Sequence, residues 1–172
     1  QLARILNINH AHANKLCNVL ADKKLLIREE IGNSVFFSYE YNDKLAIKFM
    51  EYTLSLENKE FPKWLSVVSH SLKKFKDYIE MGLVFGSSIH TKDFNDMDVL
   101  LMYDAEKSKD IKKIKDEIRK SELVEKPIRY VDIAEKDILL NREDKIFYSI
   151  LSESLVFHNP EKYVEVVRKC RK

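Results

Sequence analysis

The chain has 172 residues, 45% of them hydrophobic and 34% charged, with 30 basic against 28 acidic side chains and a formal net charge of +2. That length holds one ordinary domain or two small ones with apolar content for a core, and the near balance of charge excludes a strong global field for nucleic acid, so any such binding must come from local patches. Cys17 and Cys170, near opposite ends without a metal-type spacing, exclude a disulfide scaffold, and no apolar run reaches the roughly 18 to 20 residues that span a bilayer. With no charged-then-apolar signal pattern at the N-terminus, the expectation is a soluble, cytoplasmic protein.

In chain order the pattern divides into three regions: residues 1–41, 42–76 and 77–172. In the first, a short apolar helix (Leu2, Ile5, Leu6) passes through Asn7-Ile8-Asn9 into a second helical stretch, His10 to Leu20, with apolar Leu16, Val19 and Leu20. Two β-rich runs follow, Lys24 to Ile31 and Ser34 to Tyr39, around Gly32-Asn33, residues that supply the positive φ of a tight hairpin. This predicts a helix-turn-helix with a wing. His10, His12, Asn14 and Lys15 would face the major groove if the second helix reads DNA, although residues 1–41 carry only five basic groups against four acidic ones.

The second region, a helical linker, contains two helical patterns, with Asn42 or Asp43 as the first cap and Pro62 in the first turn of the second. Trp64, Phe61 and Phe75 sit at spacings expected of core packing. From Asp77 onward strands and helices alternate. Apolar runs at Ile79 to Phe85, Met97 to Tyr103 and Ile128 to Ala134 predict strands, and Ala105 to Lys120 predicts an amphipathic helix with Ile111, Ile114 and Ile118 on its buried side. That helix carries seven basic and four acidic residues, read as a solvated face. Asp144 to Ser152 is expected to be helical, Leu155 to His158 a strand, and Glu161 to Cys170 a terminal helix after Pro160. With only three glycines in the chain, each is expected to mark a backbone necessity.

The chemistry concentrates between Leu83 and Met102. Asp96 and Asp98, two residues apart at the head of a strand, turn to one face while Met97 turns away. Asp132 lies in Arg129-Tyr-Val-Asp-Ile133, a run otherwise built for burial, where an aspartate must be paired, hydrogen-bonded or metal-bound. If the two strands are neighbours, three carboxylates meet, and a hard divalent cation offsets their repulsion. Oxygen ligands without histidine or cysteine select magnesium or manganese over zinc. Gly86 permits close approach of a phosphate, and the following amides and the Ser87 hydroxyl can hydrogen-bond its oxygens. His90, in the same loop, is expected to be an exposed loop histidine, with contact to a nucleotide as the alternative.

Phe85-Gly-Ser87, followed after eight residues by Asp96-Met-Asp98 and by Asp132 on a later strand, resembles the DNA polymerase β-like nucleotidyltransferase superfamily, in particular its minimal archaeal and bacterial members. The likeness covers about Ile79 to His158. It implies a small mixed sheet flanked by helices, a Gly-Ser turn that holds a nucleoside triphosphate, Asp96 and Asp98 as ligands of both metal ions, and Asp132 as ligand of the catalytic ion that helps activate the attacking hydroxyl. The loop before Asp96 is shorter than in many minimal members, and Ser88 stands where many carry a basic residue; Lys92 is the cation the loop offers in its place. Gly32-Asn-Ser-Val-Phe-Phe-Ser-Tyr39 is similar to the wing of archaeal winged-helix regulators, some of them fused to such a transferase, with the usual first helix of the trihelical unit not found.

The expected fold is therefore α+β: a winged helix-turn-helix, a helical linker and a nucleotidyltransferase domain. The expected activity is metal-dependent transfer of a nucleotide, AMP from ATP, to an external acceptor. The resemblance suggests a partner protein of the HEPN type, as in toxin-antitoxin pairs, and a homodimer is an open expectation. The alternative is a DNA-binding regulator whose transferase domain senses nucleotide without catalysis.

Overall fold

The computed structural model describes residues 2–57, 61–121 and 126–170 and forms two compact units, 1–51 and 52–172. The chain is α+β, as expected from the alternation of its patterns. No described helix is long and apolar enough to cross a membrane.

In the first unit, α1 (Leu2–Ile5) leads to α2 (His10–Asp22), whose N-terminus is capped by Asn9: its Oδ1 accepts the His12 N–H at 2.8 Å. Strands β1 (Leu26–Ile31) and β2 (Ser34–Tyr39) form an antiparallel hairpin in which Ile31 pairs with Ser34. Only two residues are left for the turn, and Gly32 alone takes positive φ, at +60°, whereas Asn33 does not. Ala13, Cys17 and Leu25 are buried in this unit. Helix α3 (Lys44–Glu57) begins in it, capped by Asp43 rather than Asn42; the Asp43 carboxylate accepts the N–H groups of Leu45 and Ala46 at 2.8 and 3.1 Å.

The second unit is built on a four-stranded mixed sheet ordered β5-β4-β3-β6. Central strands β3 (Met81–Phe85) and β4 (Met97–Met102) are antiparallel, β6 (Ser154–His158) adds antiparallel to β3, and β5 (Ile128–Ile133) adds parallel to β4. Both faces of β3 and β4 are covered, which explains why they read as continuous apolar runs. Met97, Val99 and Leu101 face a core with Leu65, Leu72 and Phe75 from the segment of α4 (Ser66–Leu72) and with Ile111, Ile114 and Ile118 of α5 (Ser108–Arg119). Leu83, Leu100 and Met102 face the opposite core, against Ile138 of α6 (Glu135–Asn141), Phe147 and Leu151 of α7 (Lys145–Ser152), and Val166 of α8 (Pro160–Cys170).

Helix α6 is absent from the sequence expectation, and Ala105–Lys107 forms a 3₁₀ turn ahead of α5. Phe75 is fully buried as expected, but Trp64 is 42% exposed and corrects the reading of it as core.

Candidate functional site

Gly86 opens a 3₁₀ turn, Gly86–Ile89, directly after β3, with φ +76°. A Cβ added there would lie 2.7 Å from Oδ2 of Asp98, closer than such atoms come. The residue is thus required twice, for its φ and for the carboxylate against its backbone. Pairing of Phe85 with Asp98 across β3 and β4 sets this juxtaposition. Asp96 stands just ahead of β4, and its Oδ2 lies 2.7 Å from the Arg129 guanidinium of β5. Burial pushes the Asp98 carboxyl above its ordinary value, Asp96 adds to the rise, and Arg129 opposes it. Asp96, Asp98 and Arg129 therefore form one electrostatic group beside the Gly86 turn.

Asp132 does not join them. In the β4–β5 register Asp98 pairs with Arg129 and Leu101 with Asp132. Laterally paired residues share a face and alternate residues reverse it, so Asp132 lies on the Met97–Val99–Leu101 side while Asp98 lies on the other. There Lys115 of α5 grips it, with Nζ 2.6 and 2.5 Å from its two oxygens. Burial pushes the nearby Tyr103 hydroxyl up to about 12, with Asp132 contributing. The expected meeting of three carboxylates is corrected by this parity. Among the described residues no group of three or more His, Cys, Asp or Glu could hold a metal ion.

The remaining expected residues divide. Ser87 is exposed on the turn, and its carbonyl accepts the N–H groups of His90 and Thr91 at 3.1 and 3.2 Å. Ser88 is fully buried; its hydroxyl donates to the Phe85 carbonyl at 3.3 Å, so it closes the turn and is not presented to a ligand. Lys92 is exposed but lines a cavity with Trp64 and Phe94, not the one beside Gly86. The cavity beside Gly86, about 420 Å³, is lined by Phe85, His90, Lys145, Ser149 and Glu153. His10, His12, Asn14 and Lys15 are all exposed on α2.

Asp132 was open to pairing with Arg129 or a nearby lysine, and it is Lys115 that it meets, while Arg129 pairs with Asp96. Parity within Ile128-Arg-Tyr-Val-Asp132 carries part of that signal, since it groups Asp132 with the apolar Ile128 and Tyr130. Which of those faces Asp98 shares depends on register. In chemical terms Asp96 and Asp98 are an oxygen pair of the kind magnesium accepts, because that ion commonly takes one or two carboxylates and completes its shell with phosphates and water. Asp132, on the other face of the sheet, does not complete a three-carboxylate centre with them. Comparison of the chain with protein-family models, curated proteins and solved structures finds no match, so the reading rests on this geometry.

Proposed function

We propose that residues 52–172 bind a magnesium-bound nucleoside triphosphate, and that the chain is a nucleotide-sensing regulator whose residues 1–51 act as a DNA-reading winged helix. The observation that carries this reading is the parity of β5, which gives Asp98 an arginine neighbour, Arg129, and turns Asp132 to Lys115. Gly86, Ser87, Asp96 and Asp98 would hold the phosphates and the ion, with Lys145 and His90 facing the same cavity as Gly86. The ion would supply charge neutralisation to the phosphates. Asp132, turned to Lys115, would not be placed to help activate a hydroxyl beside Asp98. The DNA-reading half is supported by a capped helix with exposed His10, His12, Asn14 and Lys15 followed by a tight hairpin.

A second reading, transfer of AMP to a partner protein of the HEPN type, is favoured by the Asp96–Asp98 pair packed against Gly86. One experiment separates the two. The protein is incubated with magnesium and ATP labelled on the α-phosphate, with and without lysate or a candidate partner, beside an Asp96→Ala, Asp98→Ala variant. The expected result is magnesium-dependent ATP binding that falls at least about tenfold in the variant, the loss of a charge-assisted contact, with no label on any acceptor. Label transfer that vanishes in the variant sinks the sensor and establishes the transferase. Absence of ATP binding defeats both.

A further inference from the structure

The chain's single tryptophan, Trp64, is 42% exposed, yet its position is fixed: the indole N–H donates to the Ser88 carbonyl at 2.9 Å. Its ring borders a cavity of about 370 Å³ lined also by Lys63, Val67, Lys92, Phe94 and Lys126. Lys126 donates to the carbonyls of Lys92 and Phe94 and lies 4.1 Å from the Phe94 ring centroid, so its charge is anchored at the cavity wall. Among the described residues no carboxylate pairs with Lys63, Lys92 or Lys126, and none lines the cavity.

A second cavity, about 480 Å³, holds Phe61, Ser66, Ser69, Lys73 and Lys76, again with no acidic residue among those described. Val67 and Val68 line the first cavity and Ser66 and Ser69 the second. At 100° per residue those pairs occupy opposite sides of α4. Two cavities, each joining an aromatic ring to lysines that meet no carboxylate among the described residues, thus flank one short helix.

An oriented, half-exposed indole offers a stacking surface to any base, and lysines that meet no carboxylate offer neutralisation to the phosphates between bases. We propose that this face binds single-stranded nucleic acid, with a base stacked on Trp64 and the backbone running past Lys63 and Lys92 toward Lys73 and Lys76. The proposal does not rest on nucleotide binding at Gly86 and Asp98, although the indole is held by the Ser88 carbonyl of the turn that Gly86 opens. Because a helix is about 10 to 12 Å across and stacked nucleotides advance about 3.4 Å each, occupying both cavities takes about three nucleotides or more. A mononucleotide reaches only one.

The test uses the emission of Trp64 in the full chain, without magnesium, titrated with ten-residue oligothymidylate and oligouridylate; the two arms separate DNA from RNA. Saturable quenching is expected, with affinity falling on raising salt by a slope of about −0.7 for each lysine engaged. Lys63→Ala, Lys92→Ala is expected to weaken binding at least about fivefold and flatten that slope. Lys73→Ala, Lys76→Ala should do the same for the ten-residue strand, measured by anisotropy of a labelled oligomer. With that probe Trp64→Ala is expected to lose about tenfold. Asp96→Asn, Asp98→Asn should leave these values unchanged, so that failure here is told apart from failure of the nucleotide reading. The proposal is overturned if no quenching occurs, if a mononucleotide or a ten-base-pair duplex binds as tightly as the strand, or if polyglutamate competes equally well.

Discussion

Lys115 holds Asp132 on the α5 side of the sheet, away from Asp98. Asp132→Asn is therefore expected to leave magnesium-dependent nucleotide affinity within about twofold of wild type, whereas Asp98→Asn lowers it by about tenfold or more. Equilibrium dialysis decides the matter, and equal losses in the two variants would return Asp132 to the site. The stability cost of Asp132→Asn should stay below about 1 kcal/mol, because the carboxylate is partly exposed to solvent. At this scale the sequence was informative about local geometry, and it offered a nearby lysine as a partner for Asp132 without saying which. Gly86, Asp96 and Asp98 could be placed together because they lie within one turn and one strand. Asp132 could not, because a strand's register comes from packing across the sheet. Reading Trp64 as core failed for a related reason: apolar spacing shows that a face is buried but not which aromatic ends at its rim.

Among the elements, β3 is the most constrained. A Cβ at Gly82 would lie 2.2 Å from the Phe157 ring of β6, inside van der Waals contact. Gly82→Ala must push that ring out of a fully packed core, and a loss of about 1 to 3 kcal/mol is expected from urea unfolding followed by circular dichroism. A loss below about 0.5 kcal/mol would mean that the β3–β6 contact is looser than the structure has it. The strands of this sheet were legible because both faces of β3 and β4 are covered, which writes uninterrupted apolar runs into the chain. Helix α6 was not. Its seven residues show too little of a period, and its start is marked only by the Asp137 carboxylate accepting the Ala134 N–H at 3.3 Å.

Across the whole molecule, stability is expected to fall on acidification. Lys162 and Lys169 of α8 join Glu135 of α6 and Glu165 of α8, and the two ammonium groups lower the Glu135 carboxyl to about 2. A carboxyl lowered in the fold contributes stability above its ordinary value near 4.5 and loses it as pH falls toward 2. Burial lowers His158 as well, so some stability is already lost as pH falls below its ordinary 6.5. Urea midpoints measured from pH 7 to pH 3 should decline, and Glu135→Gln, Glu165→Gln should remove part of the decline below pH 4.5, by under about 1 kcal/mol per group given their exposure. An unchanged acid limb in that variant would show that the network contributes nothing. The division into two units was only partly visible beforehand, since the supposed linker supplies Leu65, Leu72 and Phe75 to the second unit's core. The parity of β5 has a further consequence for design. A third carboxylate meant to stand on the side of Asp98 would be written at 129 or 131, the odd-numbered positions of β5 that share that side, because a strand's alternation decides which face an added acid serves.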